Sequence, residues 1–289
     1  MTAPVVVGVD GGASGKDALL LGRWVADILD QPMIVAVVHP APSAVGSGRV
    51  DAEWIADRHR AADAVLDGAR TVLKDMPGEV EYRSVASSSA AHGLHDLAEE
   101  VQAEVIVVGS GRTAPKQRLF AGSTAERLLA GSHCPIAVAP SEIPGPPGGL
   151  GRIGVAYVDT PDGRAALVEG AKLARRVGAS LRLYTVVADR DASLPFLVGD
   201  DAEHAFLETA RETYEESLRR AAATVDGVKV DWTLLEGKVS AALAELDEVD
   251  VLVCGSRGYG PARRVLLGGV STRLVRGAKV PVVVVPRSG

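Results

Sequence analysis

The chain has no apolar run that approaches the roughly 18 residues needed to cross a bilayer. It also lacks any block of basic residues. Its 289 residues include 31 Lys and Arg against 37 Asp and Glu, and its formal net charge is −6. An acidic chain of this kind offers no electrostatic footprint for nucleic acid or for an anionic membrane surface. We therefore expect neither nucleic acid nor a membrane among its partners.

Cysteine is scarce as well, with two residues in the whole chain. Cys134 and Cys254 stand in neither a C-x-x-C pair nor a metal-ligand spacing. We therefore expect small buried side chains in a reducing compartment, and no metal site. The first residues include no basic segment ahead of the first apolar run, which argues against a signal peptide. These features predict a soluble, cytoplasmic protein.

What the chain does contain is an internal duplication. Val251–Pro286 repeats the plan of Val105–Pro140: an apolar run, a glycine-rich loop, a short helical pattern and a second apolar run. Gly109 and Gly255, for example, are 146 residues apart (255 − 109), and the two segments align without a gap. The duplication indicates two domains of one kind.

The domains are separated by a segment rich in Pro and Gly, which neither continues a helix nor pairs in a sheet. We place the domains at residues 1–141 and 150–289. Each half alternates apolar runs with helical periodicity, and the runs are too continuous for half-exposed antiparallel strands. The pattern predicts an α/β fold with two tandem doubly wound five-stranded parallel sheets, each in the Rossmann-like order 3-2-1-4-5.

In that strand order the winding reverses between strands 1 and 4, and ligands bind at such a switch point. Asp10 ends strand 1 and Gly109 ends strand 4. We expect Asp159 and Gly255 to occupy the same two positions in the second half. Glycines directly after a strand let backbone N–H groups approach a phosphate, and a following helix N-terminus adds partial positive charge.

The glycine spacing of the second half is Gly255-x-x-Gly258, nine residues, then Gly268. With the strand openings VGVDGG and VAYVDTPDG, this spacing resembles the universal stress protein family over nearly the full length of both halves. The resemblance implies a fold of the adenine-nucleotide alpha-hydrolase-like kind. It also implies that ATP is the ligand, with Mg²⁺ accompanying the phosphates. In family members that bind ATP, the aspartate after strand 1 lies near the adenine, and the glycine loop holds ribose and phosphates.

Carried over by position, the resemblance implies a binding role for twelve residues. They are Asp10, Gly109, Arg112, Gly122, Ser123 and Thr124 in the first half, and Asp159, Gly255, Gly258, Gly268, Gly269 and Val270 in the second. Both copies depart from the family pattern, because Arg112 replaces the middle glycine and Gly269 replaces a Ser or Thr. The alternative for the two aspartates is a turn or helix-capping role, and for the glycines tight turns.

The implied function is a stress-response regulator that binds ATP without efficient catalysis and acts on an unknown protein partner. We do not expect an enzyme, because no catalytic set and no Walker-type lysine accompany the glycines. One alternative is a slow ATPase or autophosphorylating protein that uses a serine near the phosphates: Ser110, Ser123, Ser256 or Ser271. The other is an interaction scaffold that has lost nucleotide binding.

Two further expectations concern assembly and histidines. Single-domain members of the resembled family dimerise through strand 5, so the resemblance implies a pseudo-dimer within this chain. A homodimer through another surface stays open. We interpret His39 and His133 as structural histidines, since no carboxylate or nucleophile stands at a suggestive spacing.

Overall fold

The chain forms two compact units, Met1–Pro147 and Gly148–Gly289. The boundary between them falls in the segment rich in Pro and Gly. The computed structural model describes residues 3–41, 52–75, 77–111, 114–143, 150–187, 200–256 and 269–286. Within that part of the chain, no helix is both long and apolar enough to span a membrane.

The first unit alternates strands and helices along the chain. Its elements are β1 Val5–Gly8, α1 Ala13–Leu29, β2 Met33–Pro40, α2 Ala52–Leu73, β3 Val80–Ser87, α3 Ala90–Glu100, β4 Val105–Gly109, α4 Ser123–Gly131 and β5 Ile136–Ala139. All the strand pairs of this unit are parallel, in the order β3-β2-β1-β4-β5. The predicted α/β fold and its strand order are therefore confirmed for this unit.

The second unit repeats the same sequence of elements. They are β6 Arg152–Ala156, α5 Pro161–Val177, β7 Ser180–Val187, α6 Asp200–Ala223, β8 Val230–Glu236, α7 Val239–Ala244, β9 Val251–Gly255, α8 Gly269–Leu274 and β10 Val282–Val285. Its strands are again parallel, in the order β8-β7-β6-β9-β10. The duplication in the sequence is thus a duplication of a whole doubly wound sheet.

The continuous apolar runs form the inner strands, which helices cover on both faces. Val5, Val6 and Val7 of β1 have no solvent exposure, as expected for a central strand of a parallel sheet. Residues of β3 alternate between half-buried and exposed, because this strand lies at the outer end of its sheet order. The helix α1 packs closely on β1: a Cβ atom on Gly22 would lie 2.3 Å from Cγ2 of Val7.

The first residues after the predicted domain boundary at residue 141 contact helix α1 of the first unit. The buried carboxylate of Asp17 in α1 accepts hydrogen bonds from the backbone N–H groups of Glu142 (3.0 Å) and Ile143 (3.1 Å). Burial raises the pKa of Asp17, and these two backbone N–H donors oppose that rise. The contacts join the start of the linker to α1, which the composition of the linker did not predict.

Both cysteines are free thiols in the structure. Cys254 is buried in β9, and burial raises the pKa of its thiol to about 12. Cys134 is half-buried just before β5, and burial raises its pKa as well. Both groups are therefore protonated at neutral pH, in agreement with the interpretation of these residues as small packing side chains.

Candidate functional site

A pocket of about 300 Å³ lies at the carboxyl ends of β1, β2 and β4 in the first unit. Its walls come from the ends of these strands and from residues of α1, α2, α3 and α4. The pocket includes the point between β1 and β4 where the winding of the sheet reverses, which is the predicted position. Its volume is at the lower end of the range found for small-molecule sites, about 300–1,000 Å³.

Three of the predicted residues line this pocket: Asp10, Gly109 and Thr124. Asp10 follows β1 and is exposed, and its Oδ1 accepts a hydrogen bond of 3.0 Å from the backbone N–H of Gly12. The carboxylate therefore shapes the turn into α1 and also stands at the pocket wall. The predicted turn role and the predicted ligand-facing position are compatible in this residue.

Gly109 allows β4 and the start of α1 to approach closely. A Cβ atom at this position would lie 2.0 Å from the carbonyl oxygen of Ser14 and 2.6 Å from its Oγ. The Ser14 hydroxyl donates a hydrogen bond to the carbonyl oxygen of Ser110, directly after β4. The glycine is thus required by packing between a strand end and a helix, because no other side chain fits there.

The glycine loop after β4 is held closed by hydrogen bonds of its own. The backbone N–H of Gly111 donates to the carbonyl oxygen of Phe120 at 2.5 Å. The buried hydroxyl of Ser110 donates to Ala139 O (2.7 Å) and accepts from the N–H of Phe120 (3.3 Å). A Cβ atom on Gly122 would lie 3.3 Å from the Cα atom of Gly111, so the two ends of the loop are in backbone contact.

The loop ends at the N-terminus of α4. Gly122 is the N-cap residue and supplies no side-chain hydrogen bond to the first turn. The first amide groups of a helix have no partner within the helix, and they favour anions. Ser123 is exposed and Thr124 lines the pocket, so the first turn of α4 lies at the pocket wall. Arg112, the residue that departs from the family pattern, lies outside the described residues.

His39 is a pocket residue that the sequence reasoning missed. It is only 9% exposed, and its Nδ1 lies 3.3 Å from the carbonyl oxygen of Pro40. Since a carbonyl only accepts, this contact requires a proton on Nδ1, and Nε2 of the neutral ring is then an acceptor. Nε2 is buried and has no partner among the described residues. The structure thus adds an acceptor at the pocket wall that the interpretation of His39 as a structural histidine did not include, and that interpretation stays a prediction.

The correspondence between residues of the two units differs by one position from the predicted correspondence at the end of the first strand of each unit. Val5 pairs with Val105 and Ile153 pairs with Val251, so residue 5 corresponds to residue 153, an offset of 148 (153 − 5). By that offset Asp10 corresponds to Val158 (10 + 148). Asp159 lies one residue further along, so the expectation that it occupies the position of Asp10 is wrong. The sequence alignment of the two turns misled the prediction, because each turn contains an aspartate.

The carboxylate of Asp159 is already paired. It is exposed and accepts hydrogen bonds from Nε of Arg164 (2.8 Å) and from the hydroxyl of Tyr157 (3.4 Å). The hydrogen bond from Arg164 lowers the pKa of Asp159 below its usual value. These contacts fit a structural role at the start of α5, which is the alternative stated for this residue.

Gly255 has the same packing role in the second unit as Gly109 has in the first. A Cβ atom on Gly255 would lie 2.6 Å from the carbonyl oxygen of Asp162 in α5. By the offset of 148, Asp162 corresponds to Ser14 (14 + 148). Its side chain is 8% exposed, and its Oδ1 has no partner among the described residues. The second unit therefore carries a buried carboxylate where the first unit carries a hydroxyl.

The structure describes the remaining predicted residues in part. Gly258 and Gly268 lie outside the described residues, and Gly269 and Val270 are the first residues of α8. Of the serines named for the alternative activity, Ser110 and Ser271 are buried, at 3% and 1% exposure. Ser271 donates to the carbonyl oxygen of Ser256 at 3.1 Å. Their burial and hydrogen bonds disfavour both as phosphate acceptors.

Comparison with known proteins agrees with this architecture. The chain matches the universal stress protein family at residues 1–140 and again at residues 149–286. It is 32% identical over 293 residues to a universal stress protein of Mycobacterium tuberculosis, covering 98% of this chain and 99% of the relative. A second relative, from Mycolicibacterium smegmatis, is 25% identical over 287 residues and covers 97% and 96% of the two chains.

A solved structure has the same fold. The crystal structure of a universal stress protein from Archaeoglobus fulgidus superposes with a TM-score of 0.67 at 19% identity, covering 99% of this chain and 96% of the other. The repeated sheet, the switch-point pocket and the two family matches lead to one conclusion. This chain belongs to the universal stress protein family, as a member with two tandem domains.

Proposed function

We propose that the protein binds ATP in the pocket of the first unit and acts as a stress-response regulator without efficient catalysis. The observation that carries the proposal is the convergence of Asp10, Gly109, Thr124 and His39 on one pocket at the switch point of the sheet. An acidic residue, a glycine at a strand end and a helix N-terminus together suit a ribose and its phosphates.

The adenine end of the ligand is assigned to His39. Its Nε2 is an acceptor without a partner among the described residues, and an unpaired buried acceptor costs about 1–3 kcal/mol. Adenine presents a donating amino group at the position where guanine presents an accepting carbonyl. A hydrogen bond from the adenine amino group to Nε2 would satisfy the histidine, and guanine would leave it unpaired. The proposal therefore includes a preference for ATP over GTP.

The phosphate end is assigned to the first turn of α4, whose amides follow the uncapped Gly122. Arg58 also lines the pocket, with its guanidinium paired to Asp57 at 3.2 Å. Mg²⁺ would accompany the phosphates, with the exposed carboxylate of Asp10 as the acidic group at the pocket. Lys116, which is also near the loop in sequence, is ion-paired with Glu142 at 3.2 Å.

We assign binding to the first unit and not to the second because of Asp162. This residue corresponds to Ser14 and is the second residue of α5. Asp162 lies against Gly255 at the end of β9, and a carboxylate there would repel the phosphates of a nucleotide bound in the second unit, whereas the Ser14 hydroxyl carries no charge. The carboxylate of Asp159 is engaged by Arg164 and is not positioned as Asp10 is.

The test is calorimetry of the nucleotide-free full chain with Mg-ATP and Mg-GTP. Universal stress proteins have been crystallised with cAMP and with dAMP, so both belong in the panel. We expect one ATP per chain and weaker binding of GTP. His39→Leu should weaken ATP about tenfold and remove the preference over GTP, because one hydrogen bond of about 1–1.5 kcal/mol is lost.

Asp159→Ala is the matched control, because it removes an aspartate at a similar place in the second unit. We expect it to leave ATP affinity unchanged, whereas Asp10→Ala should reduce it. Loss of binding in Asp159→Ala alone would move the site to the second unit. No heat at millimolar ATP would refute nucleotide binding and favour the scaffold function. Steady phosphate release from rigorously purified protein would contradict the absence of turnover.

Regulation would act through the nucleotide state of the first unit and a protein partner, in a cytoplasmic protein. A pulldown with purified chain, with and without Mg-ATP, tests this step. The expected result is a partner set that changes with ATP and no longer changes in His39→Leu. The same partner set under all these conditions would contradict the regulatory function.

A further inference from the structure

Three side chains that can each bind a metal meet on the surface of the first unit. They are His95 and Glu99 on α3 and His133 in the turn before β5. One ligand atom from each residue lies within 4.8 Å of the others. The two imidazole rings are 5.1 Å apart between centroids, with their planes inclined by 31°. None of the three lines the nucleotide pocket.

We propose that His95, Glu99 and His133 form a binding site for a divalent transition-metal ion of the Zn²⁺ class. Two imidazoles and one carboxylate are the protein ligands of many open zinc sites, whose fourth position is taken by water or a substrate. Mg²⁺ and Ca²⁺ prefer oxygen ligands, so a site with two nitrogen ligands binds them weakly.

The spacing of the ligand atoms suits such an ion. Zinc bonds of 2.0–2.2 Å at tetrahedral angles place neighbouring ligand atoms about 3.4 Å apart. The ligand atoms lie within 4.8 Å of one another. Side-chain rotations that move these atoms by about 1 Å therefore bring them to zinc-binding distances. Glu99 and His133 are exposed and His95 is half-buried, so an ion can enter from solvent while one ligand stays packed.

The backbones that carry the ligands are held in place. Residues 95 and 99 are one turn apart on α3, so they share a face of that helix. The helix is capped by the Ser89 side chain, which accepts from the N–H of His92 at 3.2 Å. The turn that carries His133 is closed by the Ser132 hydroxyl, which donates to Cys134 O at 2.7 Å and accepts from Cys134 N at 3.3 Å.

The same helix contains a built-in control. His92 and Asp96 have the same i,i+4 spacing as His95 and Glu99, with 3.5 Å between Nε2 and Oδ2. This pair is not part of the three-residue cluster found among the described residues. If exposed histidine and carboxylate at helical spacing were sufficient for tight binding, both pairs would bind. If the third ligand decides, only the His95 pair will bind tightly.

The experiment uses untagged full-length protein, stripped with a chelator, and titrates Zn²⁺ and Co²⁺ by calorimetry and visible absorption. We expect one tight ion per chain and a tetrahedral Co²⁺ spectrum. His95→Asn, Glu99→Gln and His133→Asn should each weaken binding about tenfold or more, because even the loss of an outer-shell group that orients a ligand costs about 10–100-fold in metal affinity. His92→Asn should leave affinity and spectrum unchanged.

Circular dichroism of each variant confirms that loss of binding is not loss of fold, since all three residues are at least partly exposed. Equal affinities in the unaltered chain and in His133→Asn would overturn the proposal, because binding would then not need the third ligand. The absence of any saturable Zn²⁺ binding would overturn it as well. Mg-ATP titrations with and without Zn²⁺ should agree, because the two sites share no residue.

Discussion

Replacing Gly109 by alanine places a methyl group against the main chain of α1. The new Cβ atom would lie 2.0 Å from the carbonyl oxygen of Ser14 and 2.6 Å from its Oγ, whereas real Cβ contacts essentially never fall below 3.0 Å. The strand end or the helix must therefore move by about 1 Å, since overpacking is relieved only by such backbone shifts. Neither movement is easy, because β4 is hydrogen-bonded between β1 and β5.

The size of the effect follows from this geometry. Overpacking a buried contact costs about 1–3 kcal/mol, and we expect the upper end because the obstacle is backbone. Alanine also lowers the conformational entropy of the unfolded chain, which offsets about 0.4–1 kcal/mol of this destabilisation. The net loss is about 2 kcal/mol, which lowers the Tm of a domain of this size by roughly 8 °C. A shift of α1 also displaces Ser14 and Asp10, so ATP affinity should fall with stability.

The assay must separate the two units, because the chain has a hydrophobic core in each. Trp24 and Trp54 report on the first unit and Trp232 on the second. Urea unfolding followed by tryptophan fluorescence in a Trp232→Phe background therefore isolates the first unit. Gly131→Ala is the control, since a Cβ atom there meets nothing within 4 Å. If Gly109→Ala unfolds at the midpoint of this control, the close approach of β4 and α1 is refuted.

Two further predictions concern buried polar contacts. Ser110→Ala removes a hydroxyl that bonds Ala139 O and Phe120 N, so it should destabilise the first unit by about 1–2 kcal/mol in urea unfolding. Ser110→Cys should recover little of this loss, because a thiol is a weak donor. In the second unit, Arg182 holds the pKa of Asp231 below its usual value of 3.8. The resulting stability is present above pH 3.8 and is lost as the pH falls through the lower folded value. Asp231→Asn should therefore cost about 0.5–1 kcal/mol at pH 6. The difference should shrink steadily as the pH is lowered below 3.8, and a difference that stays constant down to the lowest pH at which the chain remains folded would contradict it.

The sheet could be predicted from sequence because its signals are local and repeated. The apolar runs of β1 and β4 have the length and composition of buried strands, and the chain contains the pattern twice. Right-handed crossovers leave few topologies for such a pattern. The switch point then follows from strand order, and the pocket lined by Asp10 and Gly109 lies there.

What the sequence did not predict depends on contacts between distant segments. Asp159 resembled Asp10 in sequence, but the pairing of Ile153 with Val251 shifts it by one residue. No sequence pattern marks Nε2 of His39 as an acceptor that lacks a partner among the described residues, because that property depends on what packs around the ring. The sequence shows that His95 and Glu99 have helical spacing. It does not show that His133 lies beside them, because that contact forms only in the folded unit.

The sequence by itself determined the duplication, the class of fold, the strand order and the edge of each sheet at which a ligand site can form. These properties follow from periodicity, chain connectivity and the handedness of L-amino acids, which are local causes. Only the tertiary structure decided which side chains share that edge: Ser14 beside Gly109 in one unit and Asp162 beside Gly255 in the other. That choice depends on packing between segments about a hundred residues apart, which places a hydroxyl beside the strand end in one unit and a carboxyl group there in the other.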